Sequence, residues 1–321
     1  LNSFDLLRLL AATAVIFHHD WPLAGLPVRR LFSTDFGELG VGIFFVISGY
    51  LVAASWRRAP ELRAFLQKRL LRIEPALVAS VAVTALVFGA YATTLPLADY
   101  FREPKVWLYV VRNTLLYPVT YDLPGVFNHN PLPDTVNGSL WTLRLEFSFY
   151  LVVAALGFAR LLTPRVVGAL TLAAAAAFLV LHVARPDLRT GGLMRLADIA
   201  ALNGFLFLAG AFLSLRDRPV PVWAAILLAP LLLTPAWIFG LPALVVAVGS
   251  LRSVRLPGDI SYGLYIYAFP LQQILAAHGK LSFAAAVAVT APFAIASWFL
   301  IEKPALRLKP RAQPIVDCQQ P

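Results

Sequence analysis

FDLLRLLAATAVIFHHDW, residues 4–21, decides how this chain is read. It is apolar over a length close to the roughly 20 residues a membrane-crossing helix needs. Yet it carries Arg8 near one end and His19 near the other, eleven residues apart. At 100° per residue those steps come to about 1100°, roughly 20° past three full turns, so the two side chains share a helix face, about 16 Å apart along the axis. An ionisable side chain in hydrocarbon is costly, so it is read as functional, facing a bundle interior or a wet cavity. A face with a cation near one membrane surface and an imidazole near the other suits a reaction that joins reagents from two sides.

The rest of the chain agrees with a membrane setting. Its 321 residues are 59% hydrophobic and 14% charged, with mean hydropathy +0.73. Soluble domains run nearer 45–50% apolar and about 25% charged. The net charge of +10 fits anionic partners, and equally the positive-inside bias and anionic lipid; nothing calls for nucleic acid. Cys318 is the single cysteine and sits in a polar stretch, so neither a disulfide framework nor a thiol metal site is expected, and no metal is implied. Arg8, His18 and His19 inside the first helix argue against a cleaved signal peptide. The numbering opens at Leu1 without a methionine, which leaves the native start open.

Apolar stretches predict an all-α bundle of ten transmembrane helices, about 4–23, 37–56, 75–96, 138–160, 165–183, 196–215, 220–234, 236–251, 259–277 and 282–301. The seventh and eighth form nearly one run, VWAAILLAPLLLTPAWIFGLPALVVAVGSL (222–251), and Pro235 and Gly240 predict two short helices joined by a hairpin. Arg57, Arg58, Arg63, Lys68, Arg69 and Arg72 place the connection 57–72 in the cytoplasm, and ten spans then put both termini there. The whole of 1–321 reads as one integral-membrane domain, without a fused extracytoplasmic domain and with a polar C-terminal tail at 312–321. Stretch 58–74 has Leu62, Phe65, Leu66 and Leu70 at helical spacing opposite a basic face, which predicts an amphipathic helix lying at the cytoplasmic interface. Stretch 97–137 is long, polar and aromatic, and is expected to be functional on the outer side.

Several motifs then coincide. Arg8 and His19 give an Arg, ten residues and a His; GVGIFFVISGYL covers 40–51; Arg69, Arg72, Ile73 and Pro75 give a basic pair before Ile-x-Pro. SLWTLRLEFSFY (139–150) contains Glu146, ISYGLYIYAFP covers 260–270, and SWFLIEKPALRL covers 297–308. In this order and spacing the chain resembles the membrane acyltransferase 3 family, whose members O-acylate sugars, lipids and some antibiotics. A histidine more usual near Phe269 is absent.

Each candidate residue has a chemical role and a plain alternative. His19 suits a general base that takes a hydroxyl proton as that hydroxyl attacks a thioester, a step typically worth about 10²–10⁴-fold; the alternative is an interfacial histidine bonded to backbone. His18 and Asp20 lie about 100° around the helix from it, so His18 is expected to pack and Asp20 is an uncertain orienter. Arg8 presents a fork suited to phosphate or a carbonyl, or else snorkels with Asp5 as partner. Arg69 and Arg72 suit the phosphates of coenzyme A, or serve topology alone. Glu146, about 12 Å into its helix by rise, needs a partner such as His19, Arg8 or Arg144. Ser48 is a packing residue, a polar lining residue of the donor tunnel, or a nucleophile; it lacks the strand-turn-helix context of a nucleophile elbow. His129 and Trp141 are assigned to the acceptor side.

The resemblance implies transfer of an acyl group, acetyl above all, from cytoplasmic acyl-CoA to a hydroxyl of a glycan or lipid-linked sugar at the outer side. The expected setting is the inner membrane of a bacterium, with acyl-CoA as donor substrate and no permanently bound cofactor. Alternatives are acylation of a small molecule such as a macrolide or a lipid, and a proton-coupled transporter or flippase using Arg8, His19 and Glu146. Inverted repeats would favour the transporter, and the sequence shows no such symmetry. A direct transfer needs a continuous cavity bordered by the first, second and fourth helices, with Arg8, His19 and Glu146 on its wall.

Overall fold

The computed structural model describes residues 3–184, 192–216, 218–251 and 258–310. The helices are α1 (Phe4–Leu23), α2 (Phe36–Arg58), α3 (Leu62–Ala92), α4 (Leu97–Arg102), α5 (Pro104–Leu115), α6 (Leu140–Phe158), α7 (Pro164–His182), α8 (Gly192–Leu215), α9 (Val222–Leu233), α10 (Trp237–Gly249), α11 (Ser261–Ala277) and α12 (Phe283–Arg307). A two-residue antiparallel ribbon, β1 (Arg30–Leu31) with β2 (Thr34–Asp35), closes the turn between α1 and α2. Asp35 ends the ribbon and starts α2, its carboxylate accepting from the backbone of Gly37 and Glu38 at 2.8 Å each.

Among the described residues a helix stands at every predicted apolar stretch. Six of them, α2, α3, α6, α7, α8 and α12, are long and apolar enough to cross a membrane. α1 is also 20 residues long but carries Asp5, Arg8 and Asp20, and α9 and α10 are shorter. The chain is an all-α membrane protein. The polar tail at 312–321 lies outside the described residues.

Two sequence expectations change. The basic stretch 58–74 is not a separate interfacial helix: from Leu62 it runs straight into the third apolar stretch as α3. Pro75 sits inside α3 without ending it, so the helix loses one backbone hydrogen bond there and keeps its course through packing. This carries Arg69 and Arg72 into the bundle. The connection 97–137 is also built differently. It forms α4 and α5, after which residues 130–139 run down along α11. Asn130 donates to the Gln273 carbonyl at 2.9 Å, Gln273 to the Leu132 and Thr135 carbonyls at 2.9 and 2.8 Å, and Asn137 to the Ile266 carbonyl at 3.0 Å. These side-chain amides satisfy loop backbone that would otherwise be orphaned in an apolar setting.

The tightest seam joins α2 to α8. Gly49 lies against the Phe207 carbonyl and Gly210 against the Val46 carbonyl, with no room for a Cβ at either. Small residues let the backbones approach, and this holds the opposite face of α2 toward the site.

Candidate active site

A cavity of about 390 Å³ lies between α1, α2, α3, α6, α11 and α12. Its wall is polar at one end, with Arg8, Arg58, Arg69, Arg72 and Lys309 beside Asp5 and Asp259, and more apolar toward Val41, Phe44 and Tyr265. Glu146, Ser48 and Tyr150 line it between these ends.

The cations are of two kinds. Arg72 donates to Asp259 Oδ2 at 2.5 Å and has a second carboxylate, Glu302, at 3.9 Å. Arg8 lies 3.3 Å from Asp5 and 3.6 Å from the same Asp259 oxygen. Asp259 therefore ties α1 and α3 to the start of α11. Glu302 is buried, 2% exposed, and accepts from Ser297 at 3.0 Å. Arg69 is different. Among the described residues no carboxylate lies within ion-pair reach of it. Its guanidinium sits 5.8 Å from the ring centres of Phe65 and Tyr150, and its Nε is buried without a hydrogen-bond partner. Lys309, just past α12, has no carboxylate within ion-pair reach among the described residues either; burial, then Arg72, Arg69, Arg8 and Lys68, hold its ammonium down to about 8.

Glu146 does not meet His19, Arg8 or Arg144. Its Oε1 accepts from Ser48 Oγ and from the Tyr150 hydroxyl, both at 2.5 Å, and those two hydroxyls are 3.0 Å apart. Tyr150 stands one helical turn from Glu146, a spacing at which side chains meet. Ser48 thus lines the cavity with a polar partner.

His19 does not line the cavity. Its ring packs edge-on against Phe269 with centres 4.9 Å apart and against His18 at 5.5 Å, and its Nδ1 is buried without a partner. Both Arg8 and His19 do turn toward one element, the former to Asp259 just before α11 and the latter to Phe269 within it. The expected continuous channel is interrupted. Phe44 and Tyr265 meet edge-to-face at 5.4 Å, and the Tyr265 hydroxyl bonds Thr142 at 2.6 Å. Phe269, one turn above Tyr265, fills the next level, with Gly138 pressed against its ring. Phe269 follows the cavity-lining Tyr265 by four residues, about 6 Å of rise along α11, and it is Phe269 that meets the His19 ring.

Asp20 does not orient His19, for it accepts from Gln272 at 2.7 Å. His18 Nδ1 lies 3.0 Å from Asp35 Oδ1, and its ring packs on Gly37. His129 is exposed in the connection between α5 and α6 and Trp141 is half-buried at the start of α6; neither lines the cavity. Asp259, Glu302, Tyr150 and Lys309 were not singled out from sequence. A carboxylate in an apolar stretch near a basic mouth was the available signal for Asp259 and Glu302.

Residues 1–251 match the acyltransferase domain of the acyltransferase 3 family. The chain belongs to that family. It is 29% identical to the O-acetyl transferase of Shigella phage Sf6 across 94% of this chain and 95% of that protein. It is 31% identical to Nodulation protein 10 of Rhizobium leguminosarum bv. viciae across 96% of this chain and 94% of that one. A shorter match, 27% identical, covers 47% of this chain and 23% of the peptidoglycan O-acetyltransferase of Listeria monocytogenes. No solved structure matches. The acyltransferase 3 protein described here is a membrane O-acyltransferase, which sets aside the transporter alternative.

Proposed function

We propose that the cavity receives the acyl donor, a coenzyme A thioester entering from the cytoplasm, and that the acyl group passes to a hydroxyl of a glycan or lipid-linked sugar at the outer side. The observation that carries this reading is Arg69, a guanidinium turned to the cavity with a buried, unpartnered Nε and, among the described residues, no carboxylate within ion-pair reach. Coenzyme A brings several phosphate oxygens, and arginine forks match phosphate geometry. Arg8, Arg72 and Lys309 line the same mouth. The slim pantetheine arm then runs past Tyr262, Ser48 and Glu146 toward Tyr265. Acetyl is the acyl group favoured, because relatives over nearly the whole chain and over part of it are named O-acetyltransferases.

In this reading His19 is the base. The acceptor oxygen forms its bond to the thioester carbonyl carbon as its proton passes to an imidazole nitrogen. The carbon–sulfur bond then breaks, and the coenzyme A thiolate leaves and takes up a proton. Phe269 has to move aside for the thioester to cover the last helical turn. Glu146 keeps Ser48 and Tyr150 fixed along the arm. The supporting geometry is that Arg8 and His19 both face α11, one at each end of the path.

The test is donor binding in detergent by calorimetry, with acetyl-CoA and with dephospho-coenzyme A as comparison. Binding that weakens when the 3′-phosphate is missing, and weakens again in Arg69→Gln, supports the site. Equal affinity for both ligands in the wild type and in Arg69→Gln removes the basic mouth from donor recognition.

A further inference from the structure

A second cation lies outside the cavity. Arg144 and Glu146 are two residues apart on α6, so they point about 200° apart around the helix; Glu146 lines the cavity and Arg144 does not. The Arg144 guanidinium sits 5.1 Å over the ring of Tyr117. The Tyr117 hydroxyl lies 2.5 Å from Ser148 Oγ, which itself donates to the Arg144 carbonyl at 2.8 Å. Tyrosine and serine thus hold the side of a notch between α6 and the end of α5. Among the described residues no carboxylate lies within ion-pair reach of Arg144. Arg112, in the last turn of α5, is a further exposed cation on this side, while Lys105 at the other end of α5 is paired with Asp122.

The surroundings are apolar and outward-facing. Val111 and Leu115 on α5 are 55% and 64% exposed, and Leu151, seven residues from Arg144 on the same face of α6, is 43% exposed. α6 is one of the helices long and apolar enough to cross a membrane, so this flank meets lipid. A guanidinium held on a lipid-facing flank needs a counter-charge. Lipid offers one, the phosphate ester of its headgroup, whose oxygens suit the arginine fork. The exposed leucines and valine beside it are placed for the acyl chains.

We propose that the Arg144–Tyr117–Ser148 notch binds the phosphate of an anionic membrane lipid, one whose headgroup carries no compensating cation, at the flank of α6. The site is separate from the cavity and does not depend on the reading of the donor. The ligand class is a lipid-borne phosphate; an anionic phospholipid and a lipid-linked sugar share it.

The test uses the full chain in mild detergent, with thermal unfolding measured after adding phosphatidylglycerol or phosphatidylcholine, and native mass spectrometry of bound lipid. Phosphatidylglycerol should raise the midpoint more than phosphatidylcholine. Arg144→Gln should lose at least half of that difference, while Arg63→Gln, an exposed cation on α3, keeps it. Arg144→Lys, which keeps the charge but not the fork, should fall between and serves if the glutamine variant folds poorly. Mass spectrometry should show a phospholipid or a lipid-linked sugar retained by the wild type and lost from the variants. The proposal is overturned if Arg144→Gln and Arg144→Lys keep the full lipid preference. It is also overturned if millimolar inorganic phosphate reproduces the stabilisation, since the ligand would then not be lipid-borne.

Discussion

Replacing Arg69 with methionine should separate binding from folding. Arg72 is held by Asp259 at 2.5 Å and faces Glu302 at 3.9 Å, so removing Arg72 leaves Asp259 to Arg8 alone, at 3.6 Å; breaking a buried pair in this way costs about 3–5 kcal/mol of stability. Arg69 has no such partner among the described residues, and its buried Nε is unsatisfied. Methionine keeps much of the stem packing beside Phe65 and Tyr150 and removes a desolvated charge. The unliganded fold should therefore hold its midpoint or gain slightly. Donor affinity should move the other way. A hydrogen bond to a charged group is worth about 1.5–3 kcal/mol, so acetyl-CoA should bind roughly tenfold to 150-fold more weakly. The assays are thermal unfolding in detergent without ligand and calorimetry with acetyl-CoA. If Arg69→Met unfolds several degrees lower while donor affinity is unchanged, Arg69 is a structural cation and the reasoning from its missing partner fails.

Three further outcomes are expected. His19→Ala should abolish acyl transfer and leave donor affinity within a few-fold, whereas His18→Ala should retain substantial turnover; the opposite pattern in a coupled thiol-release assay would assign the base to His18. Because burial and the neighbouring arginines hold Lys309 down to about 8, its positive charge is present below that pH and lost above it, so acetyl-CoA affinity should fall as pH rises from 7 to 9, and Lys309→Met should flatten that fall. Phe269→Ala should shorten the closed stretch between the cavity and His19 and raise release of free coenzyme A without acceptor, and an unchanged rate would show that Phe269 does not limit the path.

The helices were legible because apolar length is a strong signal, and each predicted stretch holds a helix among the described residues. The boundary at Pro75 was misread because proline usually marks a break, while packing carries α3 through it. At the site, the shared face of Arg8 and His19 followed from helical period alone; the partner of Glu146 was sought in His19, Arg8 or Arg144, although Tyr150 one turn on lies within reach. The pairing of Arg8 and Arg72 through Asp259 joins residues 251 and 187 positions apart, and no local period encodes such a contact. The same holds for Ser48 with Glu146, 98 positions apart. The interruption at Phe269 was illegible for another reason: a ring in an apolar helix looks alike whether it faces lipid, a neighbour or a channel.

The cationic mouth divides its charges, and the division has a consequence for binding a polyanion. If Arg8, Arg69, Arg72 and Lys309 all had close carboxylates, every phosphate would have to displace an internal partner. If none had one, these four cations, with Arg58 beside them around a cavity of about 390 Å³, would repel one another in a setting of reduced dielectric. Asp259 resolves both problems by serving Arg8 and Arg72 together. It fixes α1 and α3 relative to α11 and leaves Arg69 and Lys309 free for an incoming anion. Asp259→Asn would release Arg8 and Arg72 from that tie. In the proposed site this should tighten phosphate binding at first contact while loosening the placement of α1, and hence of His19 at its far end. Donor affinity and transfer rate would then move in opposite directions, which a purely structural carboxylate does not predict.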